Sequence, residues 1–112
     1  MPANSPHFRK QFRAELWLYP GKAGWHFVTL PRKLSGEIQR RFGSMGNAWS
    51  SLRVTAEIGG SRWETSIFRD SKLKAYVLPI KSAIRKAERL ETGLRLKVQI
   101  ELNEIPFETS FP

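Results

Sequence analysis

The chain has 112 residues, 40% of them hydrophobic, with four Trp and no Cys; it is long enough for one core and too short for two, too apolar to be disordered, and barred from disulfides and thiolate metal sites. Its net charge is +9, and all 19 Lys and Arg fall between Arg9 and Lys97. Setting aside Glu101, Glu104 and Glu108 near the end leaves seven acids against 19 cations, a body charge of +12, which attracts polyanions through a phosphate contribution that falls steeply with salt.

In chain order, residues 1–9 contain two Pro, an Asn and a Ser and read as a flexible leader. No apolar run approaches the roughly 20 residues that span a bilayer, and MPANSPHFRKQF lacks the apolar middle of a secretory signal, so the cytoplasm is the expected location. From Phe12 the pattern alternates. Phe12, Ala14, Leu16 and Leu18 share one face, and Arg13, Glu15, Trp17 and Tyr19 the other, as in a half-buried strand. Pro20 to Gly24 supplies turn chemistry, and Trp25 to Leu30 returns as the second strand of a hairpin.

Pro31 ends that strand, because proline has no N–H for a ladder and holds the preceding residue extended. Leu34, Ile38 and Phe42 then recur at helical spacing before Gly43, predicting a helix over 34–42 and a loop over 43–47. Leu52, Val54, Ala56 and Ile58 alternate up to Gly59-Gly60, and Trp63, Thr65 and Ile67 follow, which is a tight hairpin. Phe68 to Lys74 reads as a polar connection, Ala75 to Leu78 as a fifth strand closed by Pro79, and Lys81 to Leu90 as a second helix with Ile80, Ala83, Ile84, Ala87 and Leu90 on its apolar face. Leu94 to Leu102 alternates most cleanly of all, and residues 103–112 form an acidic tail containing Phe107 and Phe111.

The order is β-β-α-β-β-β-α-β, a mainly β chain with two short helices. Amphipathic strands bury their apolar faces either under helices or inside a barrel. Two short helices cannot cover six strands, so the expected fold is a small six-stranded closed or nearly closed β-barrel, over residues 10–102, with the helices plugging its ends. The doubled Leu-Pro would then mark two strand-to-plug transitions; aligning the pairs matches Lys33 with Lys81 and Arg41 with Arg89, too few positions to establish a repeat.

The stretches GWHFVTLP, VTAEIGGSRWETSI, YVLPIKSAIRKAERLETG and LKVQIEL, in this order, resemble the family catalogued as domain of unknown function 1905. The resemblance covers roughly residues 10–102. It implies a compact six-stranded barrel with short helices, and it carries no activity, cofactor or catalytic residue.

Catalytic and metal chemistry find little support in the residues. Of the two His, His7 lies in the leader and His26 on a strand, and zinc needs three or four converging ligands. Asp70 is the sole Asp, and a triad of Asp70, His26 and a Ser has no spacing to recommend it. No dinucleotide, Walker or H-E-x-x-H motif occurs, so an enzyme is not expected, and no cofactor.

Two constellations remain. On the second helix Lys81, Arg85 and Arg89 fall at i, i+4 and i+8, with Lys86 beside them, and an anionic partner would relieve their mutual repulsion. Trp17 and Tyr19 share a strand face with Arg13, and aromatics beside Arg stack bases in small barrels. Both point to a non-enzymatic module that binds an anionic partner, nucleic acid foremost. The alternatives are a protein-interaction or oligomerisation module using the tail NEIPFETSFP, and a small ligand at a Trp-lined barrel mouth.

Overall fold

The structure, a computed structural model, describes residues 7–21, 23–45 and 51–103. In chain order its elements are β1 (His7–Glu15), β2 (Trp17–Leu18), β3 (His26–Thr29), α1 (Arg32–Phe42), β4 (Ser51–Ile58), β5 (Ser61–Asp70), β6 (Ala75–Pro79), α2 (Ser82–Glu88) and β7 (Arg95–Asn103). The tail at 104–112 lies outside the described residues, as does the later part of the loop after α1. Among the described residues no helix is long and apolar enough to cross a membrane.

The strands form one antiparallel sheet of seven in the order β1-β7-β4-β5-β6-β3-β2. This corrects the expected closed, six-stranded barrel: the sheet is an open, curled half-barrel. The extra strand arises because the run expected as one strand over 12–19 is divided at Leu16 and serves two partners. It also starts earlier, drawing residues 7–9 of the expected leader into β1. β1 pairs with β7, Phe12 opposite Val98, while β2 pairs with β3, Trp17 opposite Phe27. Leu16, fully buried, makes the corner; its N–H donates to Leu94 and its carbonyl accepts from Gly93. The two edges of the sheet are thus consecutive in the chain and meet at Leu16, with no ladder between them.

Helix α1 occupies the open side. Ile38 and Phe42 are buried in the same core as Phe8, Val28 and Leu30, and the Phe42 ring meets Phe8 of β1 edge-on at 5.3 Å. β1 and β3 come close to one another without forming a ladder among the described residues. Lys10 points inward by its register opposite Ile100, and its ammonium reaches Glu37 of α1 at 3.7 Å.

The other side of α1 is fastened by Ser35, a fully buried polar residue. Leu30 donates its N–H to Tyr76, and sheet geometry would have Tyr76 return the bond to Leu30. Instead the Tyr76 N–H donates to the Ser35 hydroxyl at 2.9 Å, and the hydroxyl donates to the Leu30 carbonyl at 3.4 Å. One side-chain oxygen replaces the ladder bond that is lost where Pro31 takes the chain out of the sheet.

The second Leu-Pro behaves differently. Pro79 stays within β6, and Ile80 beyond it still donates to His26. Helix α2 begins only at Ser82 and ends at Glu88, shorter than the expected 81–90. Ile84 is buried and Leu90 half-buried against the core, but Ala83 and Ala87 are exposed, because two turns offer too little face to bury a full stripe. Arg89 follows in left-handed conformation, φ 56°, and the bonds Arg89 to Lys86 and Leu90 to Arg85 complete a Schellman stop. The Glu88 carboxylate accepts from Ser61 at 2.6 Å and lies over Gly59, whose φ of 57° suits the two-residue turn between β4 and β5.

The core follows the alternation. Ile67, Val98 and Ile100 are fully buried and Trp63 nearly so. β5 runs on to Asp70, so the expected connection over 68–74 shrinks to residues 71–74, held by the Asp70 carboxylate accepting the N–H groups of Lys72 and Leu73. On the outer face Glu101 of β7 accepts from Arg62 at 3.0 Å and from Arg9 at 3.2 Å. Burial alone would raise the Glu101 carboxyl; those two guanidiniums outweigh it and hold it below the usual carboxylate range.

Ser35→Ala keeps the volume of the helix but orphans the buried Tyr76 N–H, so the variant should lose about 1–3 kcal/mol in denaturant unfolding. Glu101, with its pKa depressed in the folded state, contributes stability above the unfolded carboxylate range and loses it as pH falls through the folded value. Glu101→Gln should therefore cost about 1 kcal/mol at neutral pH, limited by the exposure of both guanidiniums, and the gap between the two proteins should close as pH falls below the ordinary carboxylate range.

Candidate functional site

Outward-facing residues at one end of the sheet are unusually aromatic. Trp17 of β2 and Phe27 of β3 stand opposite one another, ring centroids 5.3 Å apart. The Trp17 indole N–H donates to the Thr29 hydroxyl at 2.9 Å, which satisfies its one polar atom and fixes the half-buried ring. Tyr19 and Trp25 are joined across the hairpin end by the bond from the Tyr19 N–H to the Trp25 carbonyl. Trp25 stacks on Phe27 at 6.0 Å with 10° between the planes, yet remains 53% exposed, as does Tyr19. Phe68 of β5 faces the same way, opposite Val77. Tyr19, Trp25, Phe27, Phe68 and Val77 together line a shallow, almost wholly apolar depression of about 240 Å³.

Trp25 is also a wall of a second depression. This cleft, about 210 Å³, lies between the start of β5 and the segment from Pro79 to Arg85, and its lining includes Trp25, His26, Trp63, Glu64, Lys81 and Arg85. Arg85 is half-buried, its Nε donating to the Ile80 carbonyl at 3.1 Å, so the guanidinium is held in place. Lys81 immediately precedes α2 and is exposed, without a capping side-chain bond. His26 Nδ1 is 2.8 Å from the Gly24 carbonyl; a carbonyl only accepts, so Nδ1 is the donor in that bond.

The structure therefore brings together Lys81 and Arg85 of the basic set and separates the rest. Lys86 and Arg89 are exposed but do not line the cleft, and the left-handed turn at Arg89 takes it out of the i, i+4, i+8 row. Of the stacking set, Trp17 and Tyr19 belong to the aromatic cluster. Arg13 does not: it lies along β1 beyond the Leu16 corner, directly opposite Lys97. Asp70 is committed to its turn and lies opposite Ala75 at one end of β6, whereas His26 bonds Ile80 beyond the other end, so the two do not meet.

Three members of the site were not singled out from sequence. Trp25 and Phe27 were legible as residues of a strand alternating with His26; what was missing was their adjacency to Tyr19 and Trp17, which only the hairpin register supplies. Phe68 was hidden by the polar residues after it, which made its stretch read as a connection.

The family model for the domain of unknown function DUF1905 matches residues 12–100. The chain belongs to the DUF1905 family. No curated protein matches it. The matched span of the DUF1905 domain contains every residue of both depressions, so the aromatic cluster and the cationic cleft are features of the domain's own body.

In this DUF1905 domain the two Trp of the cleft should respond differently to truncation. Trp25→Ala removes an exposed ring and one stacking contact and should cost about 0.5–1.5 kcal/mol, whereas Trp63→Ala, nearly buried, should cost about 3–5 kcal/mol; thermal melts of the two variants compare them directly.

Proposed function

We propose that this domain is a binding module for single-stranded nucleic acid and not a catalyst. The observation that carries the reading is Trp25, a half-exposed indole that forms the shared wall between an aromatic depression and a cleft holding Lys81 and Arg85. Single-strand binders combine rings on which bases stack with cations that follow the phosphates. Here both are side by side, on a body charged +12 once the three terminal acids are set aside. An apolar ligand alone would not need the cations, and a bare polyanion would not need the rings.

The reading predicts salt-sensitive binding to single-stranded RNA or DNA of about 12 nucleotides, with tryptophan quenching as the signal. Each phosphate contact on a single strand contributes about 0.7 to the slope of log affinity against log salt. Lys81→Gln combined with Arg85→Gln should therefore flatten that slope by about 1.4, while Lys86→Gln combined with Arg89→Gln changes it less. Trp25→Ala should cost about 1–3 kcal/mol of binding. No binding to either nucleic acid at low ionic strength overturns the proposal.

A further inference from the structure

The ladder between β5 and β6 stops early, and the stop leaves backbone groups facing the cleft. Tyr76 accepts from Leu30 and donates to Ser35, so both of its backbone groups point away from β5. Neighbours in an antiparallel strand point the opposite way; Ala75 and Val77 therefore face β5, where they meet Asp70 and Phe68. Carried two residues further, the register sets Ser66 against Pro79, which has no N–H to give. Two further still, Glu64 falls opposite Lys81, where β6 has already ended. By the same alternation the N–H and C=O of Glu64 face the side that β6 has vacated, which is the cleft lined by Trp25, Trp63, Lys81 and Arg85. The Glu64 carboxylate is exposed, with Arg53 of β4 3.7 Å away.

An adjacent donor and acceptor complement the Watson–Crick edge of a base. The cleft's 210 Å³ is below the roughly 300 Å³ at which pockets for drug-sized ligands begin. It suits one ring and its phosphate.

Resting on the nucleic-acid reading above, we infer that the cleft is a single-nucleotide pocket, in which one unstacked base lies against Trp25 and hydrogen-bonds the Glu64 backbone while Lys81 and Arg85 hold its phosphate. Recognition by main chain and by stacking is tolerant of base identity, because every base has a π-face and an edge of donors and acceptors. The neighbouring base of the strand falls to the apolar depression on the other side of Trp25, where Tyr19, Phe27 and Phe68 offer rings and no charge.

Adenosine monophosphate titrated into the nitrogen-labelled full chain at low salt tests the pocket, with inorganic phosphate as the parallel probe. The amide resonance of Glu64 and the Trp25 indole should shift with the nucleotide, whereas phosphate should perturb only the surroundings of Lys81 and Arg85. Lys81→Gln should weaken the nucleotide about tenfold, the loss of one charge-assisted bond, with an unchanged melting temperature. A nucleotide that moves only what phosphate moves, while the oligonucleotide still binds and quenches tryptophan, overturns the pocket and leaves the proposed function standing. An oligonucleotide that also fails to bind removes both.

Discussion

The open side of this sheet depends on the Ser35 hydroxyl, which bridges the Tyr76 N–H and the Leu30 carbonyl where Pro31 leads the chain out of the ladder. A buried N–H without a partner costs more than an ordinary hydrogen bond contributes, so the position is demanding. The acceptor must come from the first turn of α1, at the one spacing that reaches back to Leu30. Once the hydroxyl is in place, the helix is set against β6, and Ile38 and Phe42 are directed into the core beside Phe8. The half-barrel stays open on that side because a helix, tied by one oxygen, occupies the place of a strand.

The two Leu-Pro pairs look equivalent in the sequence, and their difference organises the molecule. Each proline withholds an N–H from a ladder. At Pro31 the chain leaves the sheet, and a buried serine from the following helix replaces the bond lost between Tyr76 and Leu30. At Pro79 the chain goes on to Ile80, still bonded to β3, and only then turns into α2. The neighbouring strand is left with its backbone uncovered and a cleft in front of it. The same local chemistry thus yields a fastening at one end of β3 and β6 and a cavity at the other.

Most of the secondary structure was legible because nearly every strand has one buried face, and period-two alternation reports that directly. Val98 and Ile100, Trp63 and Ile67, Ile38 and Phe42 could all be placed in the core from spacing alone. Closure could not. Alternation is the same for a closed and an open sheet, and no pattern in residues 12–19 announces that Leu16 is a corner at which one run changes partner. The cationic helix was readable as charge, but its length was not: Arg89 adopts a left-handed conformation that Gly or Asn usually supplies, so the stop carries no sequence signal. The aromatic cluster was readable only in part, since residues from β2, β3 and β5 meet through registers that depend on the whole sheet.

The corner at Leu16 also bears on how the chain acquires its structure. Because β1 and β2 are the two margins of a single sheet, the first long strand has, among the described residues, the last as its ladder partner, His7 lying against Asn103. The turn at Gly59-Gly60 brings β4 and β5 together locally, on the microsecond scale of hairpins. β1 has no such neighbour. During synthesis it must wait, with Phe8 and Phe12 uncovered, until β7 has been made, and such exposed apolar strands are where association with other chains begins. A fold that joins its earliest strand to its latest is committed to finishing all at once, and its most vulnerable period is the time the ribosome takes to travel from one to the other.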